Sequence, residues 1–224
     1  MLSLAWEKKI KELHKKSGRN KYDLCLVEGQ KVIDTAGDAV EFTFTSDDTD
    51  VFAKLVTTET PQQIAGVAHI PHFSGEDIQK KDFIVLLDGV QDPGNVGSIL
   101  RLCLGFNASL VLIDSVDVTN PKVVRSSVGA LFHVPWISVK RDESEAFLTS
   151  LDRPIYKLEK NDNAVSIQKS SIQKPCIIVA GSEGNGISLE IEGTSIYIEH
   201  DEALESLNVT HALAIALNHV HHTV

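Results

Sequence analysis

The feature that most constrains this chain is an uninterrupted apolar run, Phe83-Ile84-Val85-Leu86-Leu87, which gives way at once to turn-forming residues from Asp88 to Gly97. A strand with one wet face alternates apolar and polar side chains, whereas an unbroken run suits a strand covered on both faces, as in a parallel sheet. After the turn the period changes. Ile99, Leu102, Cys103 and Phe106 recur at helical spacing, and Leu110-Val111-Leu112-Ile113 is again continuous. Further strands are predicted at Val134 to Val139, Cys176 to Ala180 and Ile196-Tyr197-Ile198. A final helix is predicted from Asn208 to Val220, its apolar face formed by Val209, Leu213, Ala216, Leu217 and Val220. Strands alternating with helices specify an α/β protein whose C-terminal part is a parallel sheet with helices on both faces.

The front of the chain has its own pattern. Trp6, Ile10 and Leu13 give a helix over residues 4–16 with one narrow apolar stripe, stopped by Ser17-Gly18. A strand at Tyr22 to Val27, a helix from Gly29 to Ala36 closed by Gly37, a strand at Val40 to Thr45, another helix on Val51, Leu55 and Val56 and a strand at Ile64 to Ala68 complete a small α/β module. Ser74 to Asp82 has no apolar period and reads as the linker. The 224 residues therefore divide into two expected domains, 1–76 and 80–224.

Composition excludes several classes. At 42% hydrophobic and 23% charged residues the chain can build a core and is not a disordered tail. No run approaches the ~18 apolar residues of a membrane span. Cys25, Cys103 and Cys176 form no C-x-x-C pair, which argues against a disulfide framework or cysteine zinc site and for a reducing, cytoplasmic setting. The net charge of −10 is unlike a nucleic-acid binder, yet Lys8, Lys9, Lys11, Lys15, Lys16, Arg19 and Lys21 stand against only Glu7 and Glu12 in the first 22 positions. A basic end on an acidic body fits an RNA-contact arm as well as it fits a solvated helix face.

Loops that follow buried parallel strands are where ligands bind. Three are unusual here. Asp92-Pro93-Gly94-Asn95-Val96-Gly97 runs into Ser98-Ile99-Leu100-Arg101; Asn95 is a candidate helix cap, and Arg101, about 200° around the helix from Ile99, should face away from the core. Gly181-Ser182-Glu183-Gly184-Asn185-Gly186 offers close backbone approach around a single acid, but matches neither a dinucleotide fingerprint nor a Walker loop nor a nucleophile elbow. Glu205-Ser206-Leu207-Asn208-Val209-Thr210 precedes the last helix, with Ser206 as candidate N-cap. Taken singly, each loop is equally well an ordinary turn or cap.

Together and in order, D-P-G-N-V-G-S-I-L-R, G-S-E-G-N-G-I-S and E-S-L-N-V-T resemble the three motifs of the SpoU (TrmH-like) RNA 2′-O-ribose methyltransferases of the SPOUT superfamily. The stretches Asn107 to Ile113 and Asn120 to Phe132 match the family's intervening pattern. Lys16 to Arg19 and Leu26 to Gly29 resemble the substrate-binding domain that precedes the family's catalytic domain. The resemblance implies a C-terminal segment threaded into a deep trefoil knot, a homodimer, and S-adenosylmethionine as cofactor. It implies as catalytic residues Arg101, Asn95, Glu183, Ser206 and Asn208, and as cofactor-binding residues Val179, Ala180, Gly181, Gly186, Ile198 and Leu207. RNA, rRNA in preference to tRNA, would be held by Lys15, Lys16, Arg19, Lys21 and Arg125. The chain departs from the family where Glu199-His200 replaces its usual Pro-Met, and Asp201 and Glu202 follow. A catalytically weak or inactive RNA-binding factor with the same fold is the competing expectation. A metal site on His211, His219, His221 and His222 lacks the accompanying ligands, so no metal is expected.

Overall fold

A computed structural model describes residues 1–222. The described residues form two compact units, residues 1–72 with 117–133, and residues 73–116 with those from 134 onward. These bounds differ from the continuous domains expected at 1–76 and 80–224: residues 117–133 leave the second unit and pack with the first. The reason is a set of polar and apolar contacts at long sequence separation, invisible to local pattern.

In the first unit, α1 (Leu4–Leu13) is capped by Ser3, whose Oγ accepts the Trp6 N–H at 3.3 Å. The helix expected over residues 4–16 stops at Leu13, and a second, α2 (Lys16–Tyr22), starts after Lys15 in extended backbone, runs through the Ser17-Gly18 expected to end the first, and ends at Asp23, a left-handed C-cap at φ 55°. Gly18 is required there: a Cβ would lie 2.1 Å from the Glu12 carbonyl oxygen. Strands β1 (Leu24–Glu28), β2 (Val40–Thr45) and β3 (Ile64–His69) form an antiparallel sheet in the order β1-β3-β2. Helix α3 (Gln30–Ala36) lies between β1 and β2, and the short α4 (Phe52–Leu55) between β2 and β3. Ile10, Leu13, Leu24, Leu26, Phe44, Leu55 and Val67 make the core, with Trp6 and Phe42 edge-to-face at 4.6 Å.

The second unit opens with α5 (Gly75–Gln79), where a linker was expected. Its start is a capping box, Ser74 Oγ accepting the Asp77 N–H and Asp77 accepting the Ser74 N–H. Asp77 is held well below the usual carboxylate range by its hydrogen bond to Lys80 and by those from Ser74. The strands are β4 (Phe83–Asp88), β5 (Ala108–Ile113), β6 (Trp136–Val139), β7 (Ile155–Leu158), β8 (Val165–Ser166), β9 (Cys176–Gly181) and β10 (Thr194–Tyr197). They form a seven-stranded sheet in the order β6-β5-β4-β9-β7-β10-β8, parallel at every pairing. The continuous apolar runs are its centre: every residue of β4 and β5 is buried, as the absence of alternation predicts.

Helices α6 (Pro93–Gly105), α8 (Arg141–Leu151) and α9 (Val209–His222) flank this sheet, while α7 (Pro121–Ser126) belongs to the first unit. Strands β7 and β8 escaped sequence reading because β7 is short and carries Lys157 amid its apolar residues. No helix among the described residues is long and apolar enough to cross a membrane. The three cysteines are free and buried, and burial pushes the Cys25 thiol up to about 12 and the Cys176 thiol up to about 11.

Candidate active site

All three motif loops lie in the second unit, at the carboxyl ends of its strands or at a helix start. Helix α6 begins with Pro93 at its first position, and its cap is Asp92, not Asn95: Asp92 Oδ1 accepts the Asn95 N–H at 2.8 Å. Relieved of capping, the Asn95 side chain points elsewhere. Its Nδ2 donates to Glu183 Oε1 at 2.6 Å, and its Oδ1 accepts from Asn208 Nδ2 at 3.1 Å and Thr210 Oγ1 at 3.4 Å. Asn208 Nδ2 also reaches Glu183 Oε1 at 3.5 Å. Three segments far apart in sequence thus meet in one cluster around a carboxylate.

Asn208, not Ser206, caps α9: its Oδ1 accepts the Thr210 N–H and its carbonyl the Ala212 N–H, each at 3.0 Å. This fixes the amide that faces Asn95. Ser206 instead stands in the wall of a trough beside the cluster. One cavity of about 170 Å³ is lined by Ala180, Gly181, Glu183, Gly186, Ser206 and Leu207, among others. A second, of about 160 Å³, is lined by Glu159, Ile196, Tyr197, Ile198 and His200, among others. Both are lined in part by Leu158, Ser206, Leu207 and Ala212, so they adjoin, and the pair, here the trough, stands at the low end of the size of small-molecule sites, roughly 300 Å³.

The glycine loop shapes the near wall. Gly186 N–H donates to the Ser182 carbonyl at 2.9 Å in a tight return, with Gly186 at φ 62°. A Cβ on Gly181 would fall 2.0 Å from the Gly186 carbonyl carbon and oxygen, so only glycine permits this approach. Val179 is not part of the lining. It is buried in the core with Ile84, Leu86 and Ile177, so only its backbone is placed near the trough's strand. Arg101 lies exposed on α6, as its angular position predicts, and no ion pair among the described residues occupies its guanidinium.

Sequence reading missed Asp88 and Arg141. Asp88 ends β4 with its side chain 0% exposed. Its Oδ1 accepts from Arg141 Nη2 at 2.7 Å, and its Oδ2 from the backbone N–H groups of Ser188 and Leu189 at 2.5 and 2.8 Å and from Ser188 Oγ at 3.1 Å. Arg141 also donates to Asp114 Oδ2 at 2.7 Å, and that bond, with the one to Asp88, raises its pKa further. A buried carboxylate thereby pins the segment leaving the glycine loop. The available signal was an acid closing an otherwise apolar strand.

The basic residues expected to meet RNA all lie in the first unit. Lys15 and Lys16 are exposed. Lys21 stands 3.1 Å from Glu12 and 4.4 Å from the Tyr22 ring centroid. Arg19 departs from expectation: it is 3% exposed, donating to Asp117 Oδ2 at 2.5 Å, Thr119 Oγ1 at 3.0 Å and the Leu13 carbonyl at 2.9 Å. Its charge is spent inside the unit. Arg125 is 33% exposed and donates to Thr57 Oγ1 at 3.2 Å and Glu28 Oε1 at 3.5 Å. No group of three or more His, Cys, Asp or Glu among the described residues is placed to hold a metal.

A fully parallel α/β sheet with a trough at its carboxyl edge and a carboxylate–amide cluster beside it has the form of an α/β domain that takes ligands at its strand ends. Residues 82–218 match the model of the SpoU rRNA Methylase family, and the chain belongs to that family. It is 30% identical to the 23S rRNA (guanosine(2553)-2′-O)-methyltransferase of Bacillus subtilis, covering 94% of this chain and 93% of that one. A solved TrmH-family protein of Porphyromonas gingivalis superposes with a TM-score of 0.84 at 29% identity, covering 98% of each chain. An rRNA methyltransferase of Sinorhizobium meliloti, solved with its cofactor AdoMet, shares the fold at a TM-score of 0.82 and 22% identity, covering 98% of this chain and 95% of that one.

Proposed function

We propose that this chain transfers a methyl group from S-adenosylmethionine to a ribose 2′-hydroxyl of structured RNA, rRNA in preference to tRNA. The observation that carries the reading is the Asn95–Glu183–Asn208 cluster standing at one end of the trough. The trough fits the donor: Leu158, Ile196, Ile198 and Leu207 suit an adenine face, and Gly181 and Gly186 bring main chain without side chains to its wall. When bound, S-adenosylmethionine supplies an electrophilic methyl group on a sulfonium.

The protein's part is alignment. Glu183 brings negative charge to the end of the trough where the donor's sulfonium would lie, and Asn95 and Asn208 fix its orientation by hydrogen bonds on Oε1. Ser206 lines both halves of the trough. Arg101 binds a phosphate of the target nucleotide through its planar fork and so sets the 2′-oxygen against the methyl carbon. A guanidinium is too weak a base to carry the hydroxyl proton, so positioning is its task, and the proton leaves to solvent as the oxygen–carbon bond forms and the sulfonium–carbon bond breaks to leave a thioether. Lys15, Lys16, Lys21 and Arg125 supply phosphate contacts from the first unit, whereas Arg19 holds that unit together.

The same reading includes the threaded C-terminal knot, cytoplasmic residence and a homodimer. Leu104 and Ile215, 46% and 43% exposed on the mutually packed α6 and α9, support a covered face there. The decisive experiment is transfer of labelled methyl from S-adenosylmethionine to rRNA, with nuclease mapping of the 2′-O-methyl position. R101A should lose about 100-fold or more in rate while its donor affinity stays within about twofold. A wild-type chain that binds RNA but neither binds nor uses the donor establishes the RNA-binding-factor alternative instead.

A further inference from the structure

The trough has a polar wall that alignment of the methyl group does not use. Glu159 directly follows β7, at the carboxyl edge of the sheet, and lines the cavity of about 160 Å³. The hydrogen bonds its carboxylate accepts all fall on one oxygen: Ser195 Oγ donates to Oε1 at 2.5 Å and Asn161 Nδ2 at 3.1 Å. Lys157 Nζ stands 3.1 Å from the same atom. Asn161 Nδ2 also donates to Ser195 Oγ at 3.0 Å, and the Glu159 N–H to the Ile196 carbonyl at 3.1 Å, so the residue is braced from both sides. Oε2 receives no hydrogen bond from the described residues, although the side chain is only 25% exposed.

We propose that Glu159 is a specificity-determining residue of the donor pocket, its Oε2 accepting hydrogen bonds from the vicinal hydroxyls of the donor's ribose. The proposal rests on the methyl-donor reading above. An ionised carboxylate is an acceptor only, and one oxygen has lone pairs for two donors, which a cis-diol supplies. Lys157 already neutralises the carboxylate, so the donor's α-ammonium gains little from a position there, while neutral hydroxyls still require an acceptor. Of the other side chains lining this cavity, Leu158, Ile196, Ile198, Leu207 and Ala212 offer no acceptor, whereas Tyr197, His200, Glu205 and Ser206 do; Glu159 is set apart by the groups that fix its Oε1 and leave Oε2 open. The ribose is bonded directly to the sulfonium, and the half-trough holding Glu159 shares Leu158, Ser206 and Leu207 with the half that meets Glu183.

Calorimetry on the wild-type chain with 5′-methylthioadenosine and its 2′,3′-dideoxy form tests this without any variant. The diol compound should bind about tenfold or more tightly than the dideoxy compound, the value of a hydrogen bond to a charged acceptor. E159A should weaken 5′-methylthioadenosine and S-adenosylhomocysteine by the same factor and no longer discriminate the dideoxy form. E159Q, which keeps an acceptor for Ser195, should fall between. Equal wild-type affinity for the two 5′-methylthioadenosine forms overturns the proposal. So does an E159A chain weakened toward S-adenosylhomocysteine alone, because that assigns the carboxylate to the ammonium. Failure of the wild type to bind any adenosine compound is a different result, and removes the methyl-donor reading with it.

Discussion

In the first unit the buried partner of the Arg19–Asp117 pair is the arginine, 3% exposed beside an aspartate at 19%. In the second unit the buried partner of Asp88–Arg141 is the aspartate, 0% exposed beside an arginine at 40%. Which charge is buried decides what the pair can organise. A buried guanidinium donates, so Arg19 collects a carboxylate, a hydroxyl and a carbonyl, and ties residues 117–119 to the end of α1 and to α2. A buried carboxylate accepts, so Asp88 collects backbone N–H groups and sets the course of the loop after Gly186. One pair assembles a unit; the other shapes a site.

The largest expected effect separates these two tasks. R19A leaves Asp117 and the Leu13 carbonyl without their partner and should cost about 3–5 kcal/mol of unfolding free energy, measured by denaturant titration, with donor affinity unchanged in the chain that remains folded. A loss of donor affinity equal to that of an Asp88 variant would erase the distinction. The pair also carries a pH dependence. Burial raises the Asp117 pKa, but the hydrogen bonds and charge of Arg19, with those from Thr119, outweigh it and hold it below the ordinary 3.8. A carboxylate lowered on folding contributes stability that is complete above its unfolded value and is lost as pH falls through the folded one. The midpoint of unfolding should therefore drop as pH falls below about 4, and D117N should flatten that slope.

A smaller effect is expected at Asp88. D88N keeps an oxygen for Ser188 and Leu189 but turns an amide N–H toward Arg141, so S-adenosylmethionine should bind about tenfold more weakly while unfolding changes far less than in R19A. Unchanged donor affinity in this variant would show that the loop keeps its shape without the carboxylate. The smallest effect concerns the exposed lysines. Replacing Lys15 and Lys16 by alanine should reduce the slope of log affinity for RNA against log salt by roughly one to two units, with little change in stability. A slope identical to the wild type would move the RNA contacts off the start of α2.

Much of this architecture can be read in the chain itself. Continuous burial of β4 and β5 follows from apolar runs without alternation, and the outward position of Arg101 follows from the helical period. The ordered motifs also identify the loops that meet. What local pattern misassigns is the job of each polar residue: Asp92 caps α6 and frees Asn95, and Asn208 caps α9 in place of Ser206. Either residue of such a neighbouring pair has the right chemistry, and only backbone direction selects between them.

By itself, then, the sequence determined the parallel central sheet, its buried central strands and the family, because each is written in short-range spacing of apolar, glycine and polar side chains. Tertiary structure alone decided that residues 117–133 join the first unit, that Arg19 is consumed internally and that Asp88 pins a loop 100 positions away. The physical reason is distance along the chain. A hydrogen bond between residues separated by about a hundred positions leaves no periodic trace at either end, so its donor looks the same whether it will face solvent, a phosphate or a buried carboxylate.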